Sequence, residues 1–72
     1  MTVDDETLKK HSVVIAGHQT SVTLENIFWN ALKTSAAQQG KSLKALITEI
    51  DADRTTNLSS AIRVYILRDL QN

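Results

Sequence analysis

The most constraining feature of this sequence is a stretch that favours a β-strand in a chain otherwise patterned for helices. Residues 9–24 concentrate β-branched side chains, among them Val13, Ile15 and Val22, which favour extended backbone. Residues 21–24 also alternate polar and apolar side chains, as a strand with one buried face does. A single strand leaves backbone N–H and C=O groups unpaired. The sequence therefore predicts a strand that needs a partner.

The apolar alternation changes phase at Gly17. Val13 and Ile15 occupy odd positions, whereas Val22 and Leu24 occupy even positions. A straight strand would place these two pairs on opposite faces of a sheet. Gly17 is therefore either a bulge that resets the phase or part of a turn.

Two pairings are open for the strand. Residues 13–16 can fold back on residues 20–23 as a hairpin, or the segment can pair antiparallel with the same segment of a second chain. An isolated hairpin is marginal in water. A 72-residue chain without cysteine also has only a small core of its own and no disulfide to stabilise it. A second subunit answers both needs, so the sequence favours a fold that is mainly α with one β-strand, paired between two chains.

Three blocks of helical periodicity follow the strand. Gly40 suits the left-handed position just past the end of the first helix, and Ser42 suits the N-cap of the second. Asn57 or Ser59 can cap the third. The apolar positions of the three blocks are, in chain order, Leu24, Ile27, Phe28, Ala31, Leu32 and Ala36, then Leu43, Leu46, Ile47 and Ile50, then Leu58, Ala61, Ile62, Tyr65, Ile66 and Leu70. We expect residues 1–8 to form a flexible N-terminus and residues 9–72 to form one domain.

Charge and composition narrow the function classes. The net charge is zero, but residues 8–48 carry five lysines and one glutamate, so this segment is the part that suits a polyanion. Two histidines, His11 and His18, are too few for a zinc site, and neither has a clear nucleophile partner. We therefore expect no cofactor, no metal and no enzyme activity. The acidic N-terminus and the lack of a long apolar run predict a cytoplasmic protein.

The order of these elements resembles a known family. The run TSVTLENIFWNALKTSAAQQGKSLKALITEI is similar to the ribbon-helix-helix DNA-binding proteins of the methionine repressor and Arc type. The preceding VVIAGH and the later NLSSAIRVYIL resemble a bacterial subgroup with an added N-terminal strand and a C-terminal helix. The resemblance covers residues 10–70. Its most specific element is Gly-Lys-Ser at positions 40–42, opening the second helix after a strand and one helix.

The resemblance implies an intertwined homodimer whose antiparallel β-ribbon enters the DNA major groove. It implies transcriptional repression, with dimers assembling side by side on DNA as a further expectation. Base contacts carried over by position fall on Gln19, Ser21 and Thr23, and the parity that points Val22 and Leu24 inward agrees with this assignment. Phosphate contacts fall at the start of the second helix. The residues expected there are Gly40, Lys41, Ser42 and Lys44, and the expected contacts of an N-terminal arm are Lys9, Lys10 and His18.

The match departs from the family in its charge. Ribbons of this family often carry lysine or arginine, whereas GHQTSVT contains neither and offers only His18. Two alternatives therefore stay open beside the repressor. One is an antitoxin that represses its own operon and binds a toxin. The other is a protein-interaction module that dimerises and has lost DNA binding.

Overall fold

A computed structural model of the chain describes residues 3–71. A short 3-10 helix, Val3–Glu6, precedes two strands, β1 (Leu8–Ile15) and β2 (His18–Glu25). Three helices follow, α1 (Asn26–Gln38), α2 (Leu43–Asp53) and α3 (Leu58–Gln71). The predicted mainly helical fold with three helices is confirmed, but the expectation of one strand is corrected to two. In the part of the chain that is described, no helix is long and apolar enough to cross a membrane.

The strand finds its partner within the same chain. β1 and β2 pair antiparallel from Leu8 opposite Glu25 to Ile15 opposite His18. Ala16 and Gly17 form the two-residue turn, with φ of 52° and 82°. Positive φ at both central positions is the requirement of a type I′ turn, whose twist matches that of the flanking strands. The preference for a second chain as the partner in this ladder is therefore corrected, and Gly17 is a turn residue rather than a bulge.

The register explains the change of phase in the sequence. Because Ile15 lies opposite His18, odd-numbered residues of β1 share a face with even-numbered residues of β2. His11 and Val22 thus point inward together. The hairpin is not isolated, because this inner face packs on the helices. That packing supplies the stability that a two-stranded ribbon lacks alone.

The core forms where the hairpin and the three helices meet. Leu24, Leu32 and Ile62 are fully buried within it. Each predicted apolar stripe contributes, although Ile27 and Leu70 are mostly exposed, at 52% and 74%. The buried hydrophobic residues are Ile15, Val22, Leu24, Leu32, Ala36, Leu46, Ile47, Ile50, Ile62 and Ile66.

The N-terminal segment contacts the start of α1. The backbone N–H of Asn26 donates to the Thr7 carbonyl at 2.9 Å, and its side-chain amide donates to the Asp4 carbonyl at 2.8 Å. Asn26 thus fastens the N-terminal turn instead of capping its own helix, where Glu25 is the N-cap. The expected flexible N-terminus spanned residues 1–8, of which residues 1 and 2 lie outside the described range. Asn72, the last residue of the expected domain, also lies outside it.

Candidate nucleic-acid interface

The outward face of the hairpin carries the side chains that the sequence assigned to base contacts. Gln19, Ser21 and Thr23 are exposed, while Val22 and Leu24 are 3% and 0% exposed. The predicted parity of β2 is therefore confirmed. The contact of these three side chains with DNA stays a prediction.

β1 adds three side chains to the same face that sequence reasoning did not place there. Lys10 lies opposite Thr23, Ser12 opposite Ser21, and Val14 opposite Gln19. Paired residues of an antiparallel ladder project from the same face of the sheet. The outward face is therefore a two-stranded surface with a lysine on it. The sequence does not show that β1 pairs with β2 or in which register, and this pairing decides which residues of β1 share a face with β2.

The opposite face is anchored by an aromatic stack. The rings of His11 and Trp29 lie 3.7 Å apart between centroids and within 7° of parallel. Burial lowers the pKa of the His11 imidazole, and the positive charges of Lys9 and Lys33 lower it further. Its Nε2 is buried without a hydrogen-bond partner among the described residues. The stack of His11 on Trp29 therefore packs the middle of β1 against α1. Trp29 is partly buried and lies at the edge of the core.

The turn between α1 and α2 has the predicted geometry. Gly40 has a φ of +69°, and the N–H groups of Gly40 and Lys41 donate to the carbonyls of Ala37 and Ala36. This is a Schellman motif, which favours glycine at position 40 because a Cβ in the left-handed conformation is strained. The Ser42 hydroxyl accepts from the Ala45 N–H at 3.0 Å and caps α2.

The two lysines at this turn differ in their surroundings. Lys41 Nζ lies 2.7 Å from the Glu49 carboxylate, in an exposed ion pair of small energetic value. Lys44 is exposed, and no ion pair holds it within residues 3–71. Lys41 would therefore have to leave the Glu49 carboxylate in order to bind a phosphate. Lys44 would not have to break an ion pair of the described residues to do so.

The start of α2 lies beside β1. Ser12, Val14 and Lys44 line one shallow groove, together with Trp29 and Leu43. The structure thus brings the predicted phosphate site next to the hairpin, across β1 from the predicted base-contacting residues of β2. The expected arm residues belong to the hairpin instead. Lys9 shares the inner side with Leu24, Lys10 faces outward, and His18 adjoins the turn opposite Ile15.

Helix α3 holds the free side of β2. The Ser59 hydroxyl donates to the Thr23 carbonyl at 2.9 Å, and Arg63 donates to both carboxylate oxygens of Glu25 at 3.0 and 3.2 Å. The bond from Arg63 lowers the pKa of the Glu25 carboxyl. The Arg63 guanidinium also lies 5.9 Å from the centroid of the Phe28 ring. No local pattern could predict these contacts, because the partners are 36 and 38 residues apart.

Comparisons with known proteins agree with this architecture. The family profile described as ribbon-helix-helix domain matches residues 8–70. No curated protein matches the chain significantly. The solved structure of an uncharacterized protein from Bordetella pertussis Tohama I is similar, with 28% sequence identity and a TM-score of 0.83. The match covers 97% of this chain and 61% of that one, so this chain spans less than two thirds of its length. Because the family profile matches almost all of the described residues, the chain belongs to the ribbon-helix-helix domain family.

Proposed function

We propose that this chain is a sequence-specific DNA-binding transcriptional regulator that represses by occupying an operator. Ribbon-helix-helix domains are typically non-enzymatic DNA-binding regulators. The observation that carries the proposal is the outward hairpin face, where exposed polar side chains stand on strands fixed from behind by a buried core. Such a face can enter the major groove, which admits a two-stranded ribbon. The proposal includes a cytoplasmic location, because a bacterial regulator meets its DNA there.

Base reading falls to Gln19, Ser21 and Thr23. A glutamine amide can donate to N7 and accept from N6 of adenine in a bidentate pair, which is the most selective contact in this set. The hydroxyls of Ser21 and Thr23 donate or accept, and the Thr23 methyl suits the thymine methyl. Gln19 is therefore the residue from which we expect the strongest sequence discrimination.

Phosphate binding falls to the turn of residues 40–42 and to Lys44. The free N–H groups and the positive dipole end at the start of α2 favour an anion. Lys44 adds an unpaired charge, and Lys41 adds one after release from Glu49. These contacts position the protein on the duplex without reading sequence.

We further propose that the chain works as a homodimer through the open edge of β2. In an antiparallel pair, the backbone groups of alternate residues point away from the neighbouring strand. The Thr23 carbonyl does so, because Ser59 donates to it from outside the hairpin. Gln19 and Ser21 share the parity of Thr23, so their N–H and C=O groups also point outward. Antiparallel pairing of this edge with the same edge of a second copy creates the dimeric ribbon, and side-by-side assembly of dimers on DNA extends it.

A selection of bound fragments from random and genomic DNA pools tests the proposal. It is run with the wild type and with a Gln19→Ala/Ser21→Ala/Thr23→Ala variant, both shown to be folded dimers. We expect the wild type to enrich a short palindromic or repeated motif that the triple variant loses, with affinity that falls steeply as salt rises. Absence of enrichment at low and at near-physiological salt would contradict it.

A second candidate is a dimerisation module that binds another protein, such as a toxin in the antitoxin variant, and no longer binds DNA. The zero net charge and the Lys41–Glu49 pair favour it, because both weaken attraction to phosphate. It predicts no salt-dependent DNA affinity. The same selection therefore separates the two functions.

A further inference from the structure

The structure places one cation on the face proposed to meet DNA. Lys10 is exposed and lies opposite Thr23, beside the base-reading side chains. It makes no ion pair within residues 3–71. The family resemblance implies that Lys10 belongs to an N-terminal arm, and the β2 segment GHQTSVT contains no lysine. The hairpin register instead makes Lys10 part of the ribbon surface.

The position of β1 within a dimeric sheet decides what Lys10 can reach. If two copies of β2 pair at the centre, neighbouring strands about 4.8 Å apart place each β1 roughly 7 Å from the two-fold axis. The major groove is about 12 Å wide, so its edge lies about 6 Å from the same axis. β1 therefore lies over the phosphates that border the groove, while β2 lies over the bases.

We propose that β1 forms a second phosphate-binding strip, with Lys10 as its cation and the Ser12 hydroxyl as its neighbouring donor. The strip continues into the start of α2, because Ser12 and Lys44 line the same groove. This inference rests on the proposed function and adds β1 to the DNA contacts. It also answers the departure in charge, since the flanking strand supplies the cation that β2 lacks.

Lys9 is the matched control for Lys10. The two lysines are adjacent on β1 and both are exposed, but Lys9 lies on the inner side opposite Leu24. Lys10→Ala and Lys9→Ala thus remove the same charge from the same strand on opposite faces. Lys10→Arg restores the charge and serves as the rescue variant.

The experiment measures the affinity of each variant for the selected operator and for unrelated DNA over a range of salt concentrations. Two lysines per dimer, each releasing about 0.9 counterions, predict that Lys10→Ala lowers the slope of log affinity against log salt by roughly 2. At about 0.1 M salt we expect a loss of tenfold or more on both DNAs, with the preferred motif unchanged. Lys9→Ala is expected to keep most of the wild-type affinity, and Lys10→Arg to recover it.

Three results would overturn this inference alone. Equal losses of DNA affinity for Lys9→Ala and Lys10→Ala would show that the effect comes from the net charge of the protein and not from the face on which the lysine lies. A changed motif for Lys10→Ala with an unchanged slope would make Lys10 a base reader and place β1 inside the groove. An unaltered Lys10→Ala would remove β1 from the interface while wild-type binding still upholds the proposed function. Failure of the wild type to bind any DNA would overturn the proposed function itself, and the strip with it.

Discussion

The two-residue turn of the hairpin gives the sharpest test of the fold. Gly17 has a φ of +82°, and a Cβ built there meets no atom within 4 Å. The cost of Gly17→Ala is therefore backbone strain alone, about 1–2 kcal/mol for a Cβ in the left-handed region. Alanine also restricts the unfolded chain, which returns about 0.4–1 kcal/mol. The net expectation is a loss of about 1 kcal/mol in the free energy of unfolding.

The sign of this change distinguishes the two strand pairings. In an extended strand that runs into a second chain, residue 17 needs no positive φ, and Gly17→Ala would stabilise by restricting the unfolded state. Ala16→Asn provides the opposite perturbation. Ala16 has a φ of 52°, and asparagine is favoured over alanine there in a type I′ turn. We therefore expect Ala16→Asn to stabilise by about 0.5–1 kcal/mol.

Urea unfolding followed by circular dichroism and by the fluorescence of Trp29, the only tryptophan, measures both variants. At an m-value of about 1 kcal/mol per M, the midpoint moves by about 1 M for Gly17→Ala. Chain concentrations must be equal, because the proposed dimerisation would make the apparent stability depend on concentration. A Gly17→Ala variant as stable as the wild type or more stable would refute the hairpin turn.

Three further predictions concern the core, the cap and the histidine stack. Ile62→Ala should cost about 2–5 kcal/mol in the free energy of unfolding, because Ile62 is fully buried, and a loss below about 1 kcal/mol would contradict that burial. Ser42→Ala should cost about 1 kcal/mol by removing the cap of α2, while Ser42→Asn should retain most of it, both measured by thermal unfolding. The pKa of His11 is lower in the folded state, so the unfolded state protonates at higher pH. The free energy of unfolding is therefore at its full value above about pH 6.5 and falls as the pH drops toward the folded-state pKa. His11→Phe, which keeps a ring on Trp29, should flatten this decline between about pH 7.5 and 5.5, and a wild-type stability that does not change there would refute the stack's neutral state.

The helices could be predicted from sequence because their signals are local. The apolar spacing after Leu24, the glycine at position 40 and the cap at Ser42 each lie within a few residues of the feature they define. The sequence leaves the hairpin open as one of two pairings but does not select it, because its Ala-Gly turn lacks the Asn-Gly or Asp-Gly pair that usually marks a type I′ turn. The alternation predicts the faces of β2 correctly, but the face of β1 depends on a register that only the fold defines. Contacts such as Arg63 with Glu25 depend on tertiary packing and leave no local pattern.

The hairpin and the proposed dimer use opposite edges of β2 for their backbone hydrogen bonds. β1 pairs with one edge of β2, and Ser59 bonds the Thr23 carbonyl on the other, while the outward-pointing backbone groups of Gln19 and Ser21 have no such bond within residues 3–71. Proteins usually protect an open edge with lysine, proline or a bulge, and residues 18–22 contain none of these. An edge of this kind favours pairing with another strand. The second subunit that the strand pattern called for is thus expected at the outer edge of β2, where a strand already held by its own hairpin loses little conformational entropy on association.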